Sequence, residues 1–395
     1  MSIVNIDMGV PMLFGSGAAD HLGSKLAEFG CKNVMAVIDG NLPDSAIETI
    51  KNSIANAGIN CVIFDEVEEE VPDYVVLKGA QIAKKSKIDG LVSLGGGSAI
   101  DTAKCINVAV NHPLPLRSYY RNNGGVASNK GFPLVVVTTT PGSGGEHMKC
   151  AVVCSTEEGG IKRPIKSPGC CLPRCAIIDP QLMCSLPVSA TASCSMDAFA
   201  HAYEAYTCPP EKDSPIIDAI AFEAMRLVVE ALPKCVNDPF NIEHRGALAS
   251  ASTLAGIANI NGGAHACHGI AHSVGSMFHV PHGVCVAWVQ PYTCQLASSA
   301  YLEKNLRVLS LFGVSPSGEP TPEEVGSLLK DALLNFNRRC GVPGLKEYGG
   351  TRDLVRKSIA LIESDPLINA NKKIVIGRQE ITDILENISV DNDLE

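Results

Sequence analysis

The order of strand-like and helix-like segments constrains the fold of this chain more than any other feature. In the first half, apolar runs rich in β-branched residues, such as NVMAVID at 33–39 and INCVIFDEV at 59–67, alternate with helical patterns. Strands that alternate with helices indicate βαβ units, so we expect a mainly parallel sheet. From about residue 186 onward, apolar residues recur at helical spacing and strand-like runs are few, which predicts a mostly helical second half.

The length of the chain supports a division at this change of pattern. A chain of 395 residues is too long for one ordinary hydrophobic core. We therefore expect an α/β domain at 1–186 and an all-helical domain at 187–395.

The charge and the cysteines limit the partners and the cellular location. A formal net charge of −10 argues against nucleic acid and anionic membranes as partners. The start of the sequence, MSIVNIDMGV, lacks the basic residues and apolar core of a secretory signal, so we expect a cytoplasmic protein. The 16 cysteines show no paired C-x-x-C spacing, so we expect small buried apolar side chains rather than a second metal site or a redox role.

A glycine-rich turn follows a strand-like run in LVSLGGGSAIDTAK at 91–104. Consecutive glycines let the backbone approach a ligand closely, and Ser98 can cap the helix that follows. Free N–H groups at a helix N-terminus favour a phosphate. Because the motif is not G-x-G-x-x-G, these residues predict either an anion or nucleotide site or a tight connection that needs glycine for packing.

Two further features fit a dinucleotide. Asp39 ends a strand-like run, where a carboxylate could accept hydrogen bonds from a ribose diol and repel a 2′-phosphate. It would then favour NAD over NADP, although an aspartate before Gly40 is equally typical of a plain turn. The segment TTTPGSGGE at 138–146 offers hydroxyls and N–H groups that suit a pyrophosphate or a nicotinamide amide.

Histidines are concentrated in HGIAHSVGSMFHVPHG, which begins at His268 and contains four of the ten in the chain. His268 and His272 are four residues apart, as are Asp197 and His201, so on helices each pair shares one face. With His282 they offer one carboxylate and up to four imidazoles, a set that suits Fe(II) or Zn(II) with a position left for substrate or water. HGIAH is not H-E-x-x-H, which disfavours a zincin protease.

Five motifs, in this order, resemble those of the iron-containing (group III) alcohol dehydrogenases: GGGSAIDTAK, TTTPGSGGE, IIDPQLMCSLP, SMDAFAHAYEAY and HGIAHSVGSMFHVPHGVCVA. The resemblance extends from about residue 5 to residue 385. It implies a dehydroquinate synthase-like fold, with an α/β N-terminal dinucleotide-binding domain and an all-α C-terminal domain that binds metal and substrate. The active site would lie in the cleft between the two domains.

The resemblance also implies which residues form the site. The family's ligands for Fe(2+), with Zn(2+) as the alternative, fall on Asp197, His201, His268 and His282. His272 would lie near the substrate and take a catalytic role in proton transfer, whereas His265 and His279 match no family ligand. The family's positions for NAD(H) fall on Asp39, Gly95, Gly96, Gly97, Ser98, Asp101, Thr139, Thr140, Ser143, Lys162 and Leu182.

The sequence departs from the family pattern near the expected nicotinamide. His147 and Met148 stand where the family usually has valine and threonine, which would change the shape and polarity of that pocket. EEVPDY replaces a common Asn-Pro-Thr, and INANKK replaces the usual Asn-Pro-Arg. None of these changes involves the expected metal ligands.

The function implied by the resemblance is NAD(H)-linked interconversion of a small primary alcohol and its aldehyde. The metal would polarise the substrate oxygen, and the nicotinamide would transfer hydride. The basic segment KRPIKSPGCCLPR makes a reductase for an anionic aldehyde (carboxylate, sulfonate or phosphonate) an alternative, although a solvated basic loop explains it as well.

Two other functions remain open at this point. One is a relative of the same fold, such as a glycerol dehydrogenase, and the other is a metal-dependent hydrolase, which would need no dinucleotide. Members of the family are often dimers or larger, and VNIDMGVPMLFGSG could supply an edge strand for pairing. We therefore also expect a homo-oligomer.

Overall fold

The computed structural model describes residues 3–278 and 280–395, which form two compact units. The α/β unit comprises Met8–Thr140 and Gly144–Leu186. The helical unit comprises Pro187–Glu395 together with Pro141–Ser143 and the segment that ends at Asp7. The expected division into domains at 1–186 and 187–395 stays a prediction.

A six-stranded parallel sheet forms the centre of the α/β unit, in the order β1-β8-β5-β4-β2-β3, and β6 and β7 pair separately as an antiparallel hairpin. The strands are β1 (Met12–Phe14), β2 (Asn33–Ile38), β3 (Asn60–Phe64), β4 (Gly90–Gly95), β5 (Leu134–Thr138), β6 (Cys150–Ser155), β7 (Ile161–Lys166) and β8 (Cys175–Ile178). The helices are α1 (Leu22–Glu28), α2 (Asp44–Asn56), α3 (Asp73–Ser86), α4 (Gly97–Asn111) and α5 (Pro168–Cys171).

Helices on both faces of the sheet explain why its strands read as almost continuous apolar runs. In β2, Met35 and Val37 pack into a cluster with side chains of α3 and α4. Val34 and Ala36, which alternate with them, pack into a second cluster with side chains of α1 and α2. The predicted mainly parallel sheet is confirmed, although the strand expected at 59–67 already ends at Phe64.

The helical unit contains the remaining α-helices: α6 (Val188–Tyr206), α7 (Pro215–Asn237), α8 (Ile242–Gly262), α9 (Ala266–Phe278), α10 (His282–Ala297), α11 (Leu302–Leu311), α12 (Pro322–Arg339), α13 (Arg352–Lys357), α14 (Ile359–Ser364) and α15 (Arg378–Asp391). In α6, every side chain from Ser195 to Tyr206 is buried, so this helix lies inside the unit rather than on its surface. The predicted all-helical second half is confirmed in the residues that the structure describes. Among those residues, no helix is both long enough and apolar enough to cross a membrane.

All 16 cysteines are free thiols, of which twelve are buried and four are half-buried. Burial raises the pKa of several of these thiols, for example that of Cys31 to about 11 and that of Cys171 to about 12. The cysteines are therefore small core side chains that favour the neutral thiol, as the sequence predicts.

Candidate functional site

The four residues that the resemblance marks as metal ligands come from three helices of the helical unit. Asp197 and His201 are one turn apart on α6, so they share one face of that helix. His268 lies in the first turn of α9, and His282 is the first residue of α10. We call these four residues the imidazole–carboxylate cluster.

One oxygen of Asp197 lies at the centre of this cluster. Its Oδ1 atom is 3.3 Å from His268 Nε2, 3.5 Å from His282 Nε2 and 3.6 Å from His201 Nε2. Asp197, His201 and His268 are buried, and one ligand atom of each lies within 4.8 Å of the other two. The His282 side chain is 32% exposed. Three imidazole nitrogens and a carboxylate that converge on one point form a donor set that fits Fe(II) or Zn(II).

The electrostatics of the cluster favour a positive charge beside Asp197. Burial by itself would raise the pKa of Asp197, but the imidazoles of His201, His282 and His268 hold it below its ordinary value. Burial would likewise lower the pKa of His268, but Glu204 and Asp197 raise it to about 10. The pKa of His201 falls to about 4 because the ring is buried and lies near His268. Asp197 therefore stays ionised in a buried place, where one cation balances its charge, either a proton on His268 or a metal ion in its stead.

His272 lies beside the cluster and is more exposed than its buried members. Its ring stacks on that of His282, with 5.1 Å between the centroids, and its side chain is 38% exposed. Nδ1 of His272 is 4.0 Å from Oδ2 of Asp365, a residue that the sequence did not single out. A side chain in this place can reach both the cluster and the solvent.

His265 and His279 match no family ligand, and the structure describes only His265. His265 is buried, with Nε2 3.3 Å from Thr207 Oγ1 and Nδ1 3.4 Å from Glu204 Oε1. His265 thus lies against Glu204. His279 lies outside the described residues.

Two residues that sequence reasoning missed contact the buried imidazoles. Glu204 accepts a hydrogen bond from Nδ1 of His268, and the amide of Asn259 lies 2.9 Å from Nδ1 of His201. Glu204 is three residues beyond His201 on α6, so the spacing that revealed the other residues of that helix could have revealed it. Asn259 lies on α8, and no pattern in the sequence connects it to His201.

In the α/β unit, the glycine turn (residues 95–97) joins β4 to α4. Gly95 has φ +151°, and a Cβ atom there would lie 2.7 Å from the Cβ of Ala99. A Cβ atom on Gly96 would lie 2.9 Å from Cγ2 of Thr140. Packing therefore requires glycine at both positions, whether or not a phosphate binds.

The start of α4 differs from the sequence-based expectation. Gly96 occupies the N-cap position and no side chain caps the helix, so the proposed cap by Ser98 is wrong. Ser98 is instead the second residue of the helix, too far along it to be the N-cap. The first turn of α4 therefore offers backbone N–H groups, which is the arrangement that suits an anion.

Asp39 and Thr139 lie next to the glycine turn because their strands pair with β4. Asp39 directly follows β2, donates its N–H to Leu94 O, and would contact a Cβ atom on Gly95 at 3.0 Å. Its Oδ1 atom accepts hydrogen bonds from the backbone and the side chain of Asn41, at 3.0 and 3.2 Å. Thr139 follows β5 and donates its N–H to Gly95 O. The carboxyl ends of neighbouring parallel strands, where open α/β sheets bind ligands, thus bring these residues together.

The other residues expected to bind the dinucleotide differ in their contacts and in their burial. Asp101 accepts a hydrogen bond from the backbone N–H of Val152 at 2.9 Å. Lys162 on β7 forms an ion pair with Glu70 at 3.1 Å. Leu182 is buried, while Ser143 belongs to the short segment within the helical unit.

His147 packs inside the α/β unit, and its expected effect on a nicotinamide pocket stays a prediction. Its side chain is fully buried, and Nδ1 accepts a hydrogen bond from the backbone N–H of Val10 at 3.3 Å. A Cβ atom on Gly9 would lie only 2.3 Å from the same nitrogen. The histidine therefore fills a space against residues 9 and 10.

Two family models match most of the chain. The model for iron-containing alcohol dehydrogenase matches residues 10–180, and the model for the C-terminal part of the Fe-containing alcohol dehydrogenase family matches residues 191–389. This chain belongs to the iron-containing alcohol dehydrogenase family. The family assignment confirms the resemblance and the predicted class of enzyme, an alcohol–aldehyde oxidoreductase.

Several relatives are similar to this iron-containing alcohol dehydrogenase over most of their length. The NAD-dependent methanol dehydrogenase of Bacillus methanolicus is 32% identical over 377 residues, which cover 95% of this chain and 97% of that protein. The 1,3-propanediol dehydrogenase of Citrobacter freundii is 33% identical over 351 residues, 87% of this chain and 88% of that protein. The solved structure of a 1,3-propanediol oxidoreductase has a TM-score of 0.89 at 30% identity and covers 97% of this chain and 100% of its own.

Proposed function

We propose that this iron-containing alcohol dehydrogenase is a metal-dependent, NAD(H)-linked enzyme that interconverts a small primary alcohol and its aldehyde. The observation that carries the proposal is the convergence of three imidazole Nε2 atoms on Oδ1 of Asp197, at 3.3 to 3.6 Å. The similarity to enzymes named for methanol and 1,3-propanediol supports a small alcohol as substrate.

The chain's own residues would bind and orient the reacting groups. The metal, Fe(II) or Zn(II), would supply a Lewis acid for the substrate oxygen, and NAD(H) would supply or accept the hydride. The metal would be held by Asp197, His201, His268 and His282. Because Asp197 and two of these histidines are buried, packing against their neighbours keeps these ligands in place.

The dinucleotide would bind at the carboxyl ends of β2, β4 and β5. The first turn of α4 would accept the pyrophosphate, and Asp39 would accept the ribose hydroxyls and disfavour a 2′-phosphate. The residues assigned to this site are Asp39, Gly95, Gly96, Gly97, Ser98, Asp101, Thr139, Thr140, Ser143, Lys162 and Leu182.

His272 would move a proton between the substrate oxygen and the solvent. Its partly exposed ring, stacked on His282, is the observation that supports this role. A His272→Ala enzyme should have a lower kcat that added imidazole partly restores. A kcat that equals the wild-type value at every pH would remove the role from this residue.

The structure does not favour an anionic aldehyde as substrate. Two basic side chains of the KRPIK segment are already paired with acids, Lys162 with Glu70 at 3.1 Å and Arg163 with Glu158 at 2.5 Å. A metal-dependent hydrolase would leave Asp39 and the start of α4 without a role. The expected homo-oligomer and cytoplasmic location stay predictions.

Metal-dependent turnover of NADH tests the proposal. The purified enzyme would be stripped of metal with a chelator, reloaded anaerobically with Fe(II) or Zn(II), and assayed with neutral and anionic aldehydes of similar size. We expect turnover only after reloading, and faster turnover with neutral aldehydes. Equal turnover before and after reloading, or none with either metal while NADH binds, would contradict the proposed reaction.

A further inference from the structure

Glu204 is a buried carboxylate that the proposed metal set does not use. It lies on α6, two turns from Asp197, and is 1% exposed. A charged side chain is costly to bury unless its partners satisfy it, so its contacts indicate what it does.

Both oxygens of Glu204 make specific hydrogen bonds. Oε2 accepts from Nδ1 of His268 at 2.5 Å. Oε1 accepts from the backbone N–H of Cys267 at 2.7 Å, with the N–H of His268 at 3.5 Å. Cys267 and His268 are in the first turn of α9. The carboxylate of Glu204 therefore accepts a hydrogen bond from a backbone N–H at the start of this helix and another from the imidazole of His268.

The contact with His268 determines which ring nitrogen is free to bind a metal. A neutral imidazole, the form that a metal requires, has its lone pair on Nε2 when it donates Nδ1–H to a carboxylate. In His268 that atom is the one that lies 3.3 Å from Oδ1 of Asp197. Glu204 therefore acts on the ring orientation, on the proton position and on the start of the helix that carries the ring.

We propose that Glu204 is a positioning residue for the metal site, which holds His268 as the Nδ1–H tautomer and fixes the start of α9 so that Nε2 points at the metal. The inference rests on the proposed function, because it assigns a partner to one of the proposed ligands. The carboxylate is needed at this place because it can accept at both oxygens, whereas a glutamine has a single acceptor oxygen for two donors.

The test compares metal binding by the full-length apo forms of wild type, Glu204→Gln and Glu243→Gln. Glu243 is an exposed acid in the first turn of α8, so its variant controls for the loss of one charge in the same unit. Each protein would be titrated with Co(II) against a chromophoric chelator, and the visible spectrum of the bound Co(II) would be recorded. Thermal unfolding of the apo forms shows whether each variant folds.

We expect Glu204→Gln to bind Co(II) about 10- to 100-fold more weakly than wild type and with an altered spectrum, since loss of an outer-shell partner typically has this effect. Glu243→Gln should match wild type in both. A Glu204→Gln protein with the wild-type dissociation constant and spectrum would overturn the inference and leave the proposed function standing. If the wild-type protein itself binds no Co(II) or Zn(II), the proposed function fails, and this inference fails with it.

A second measurement needs no variant of Glu204 and covers the case in which Glu204→Gln does not fold. The histidine side chains of the Zn(II)-loaded wild-type protein would be labelled with ¹⁵N, and the His268 signals identified by their loss in His268→Gln. We expect a proton on Nδ1 of His268. A proton on Nε2 instead would overturn the inference.

Discussion

At the scale of single residues, Asp39 has surroundings that suit a side chain which selects between two cofactors by direct contact. Its carboxylate is held by the backbone and the side chain of Asn41, and it lies against Gly95. These contacts fix the carboxylate at the carboxyl end of β2 and leave the side chain half-exposed. A fixed, accessible acid at this place suits the selection of NAD(H) over NADP(H).

Replacement of Asp39 by serine should change the cofactor preference. Loss of a charged acceptor, worth about 1.5–3 kcal/mol, should lower kcat/KM for NADH about 10- to 100-fold. The value for NADPH should rise because the repulsion of the 2′-phosphate is gone. Steady-state kinetics with both cofactors measures this, with Glu48→Ser, an exposed acid of α2, as the control. An unchanged ratio of the two values would exclude Asp39 from cofactor selection.

The residues of the candidate site differ in how far the sequence predicts them. The four-residue spacing of Asp197 and His201 is local, so it predicts their shared helix face directly. The partnership of Asn259 with His201 depends on the packing of α8 against α6, which joins residues 58 positions apart and leaves no local pattern. Glu204 lies between these cases, because its helix face is predictable but its contact with α9 is not.

At the scale of secondary-structure elements, Lys104 connects α4 to the segment before β6. Its side chain is fully buried, and Nζ donates to the carbonyls of Gly145, Met148 and Cys150 at 2.7, 3.1 and 3.0 Å. A single cation therefore binds three backbone carbonyls between Gly145 and Cys150, at the end of the segment that leads into β6.

Replacement of Lys104 by methionine should destabilise the protein strongly. Methionine fills much of the same space but removes three hydrogen bonds, of which the one to Gly145 is buried and the other two are partly buried. Each buried group left unsatisfied costs about 1–3 kcal/mol. We expect a lower midpoint of denaturant unfolding, monitored by circular dichroism. Lys84→Met, at the exposed end of α3, should unfold like wild type. If the two variants unfold alike, Lys104 does not hold the segment in place.

Among the elements, those of the βαβ pattern could be predicted, whereas the β6–β7 hairpin could not. In β2, β4 and β5 the apolar runs are long because helices cover both faces of the sheet. The run IKRPIK of β7 contains three basic residues and a proline, and it is a strand only because it pairs with Cys150–Ser155. Such pairing is set by contacts outside the run, which its own composition does not reveal.

At the scale of the whole molecule, the imidazole–carboxylate cluster joins helices that are distant in the sequence. Asp197 and His282 are on α6 and α10, with α7, α8 and α9 between them along the chain. A metal bound by these residues would link the folded helices and would not find the same site in the unfolded chain.

Removal of the metal should therefore lower the thermal stability. At a free metal concentration of about 100 times Kd, binding adds about 2.7 kcal/mol to the free energy of unfolding. A change of about 1 kcal/mol in this free energy shifts Tm by about 2–4 °C for a unit of roughly this size. We expect a chelator to lower Tm by about 5–10 °C, and Zn(II) or Fe(II) to restore it, as measured by scanning calorimetry. A chelated sample that is free of metal by elemental analysis but has the original Tm would contradict this expectation.

The burial of the cysteines has a practical consequence for work with this enzyme in air. Twelve thiols are buried, the other four are half-buried, and burial keeps thiols in the slowly reacting neutral form. The sulfur atoms are thus poor targets for oxygen, whereas ferrous iron, if it is bound by the partly exposed His282 as proposed, would be a good one. Activity lost on the bench would then return with fresh ferrous salt, while a thiol reductant alone would protect little.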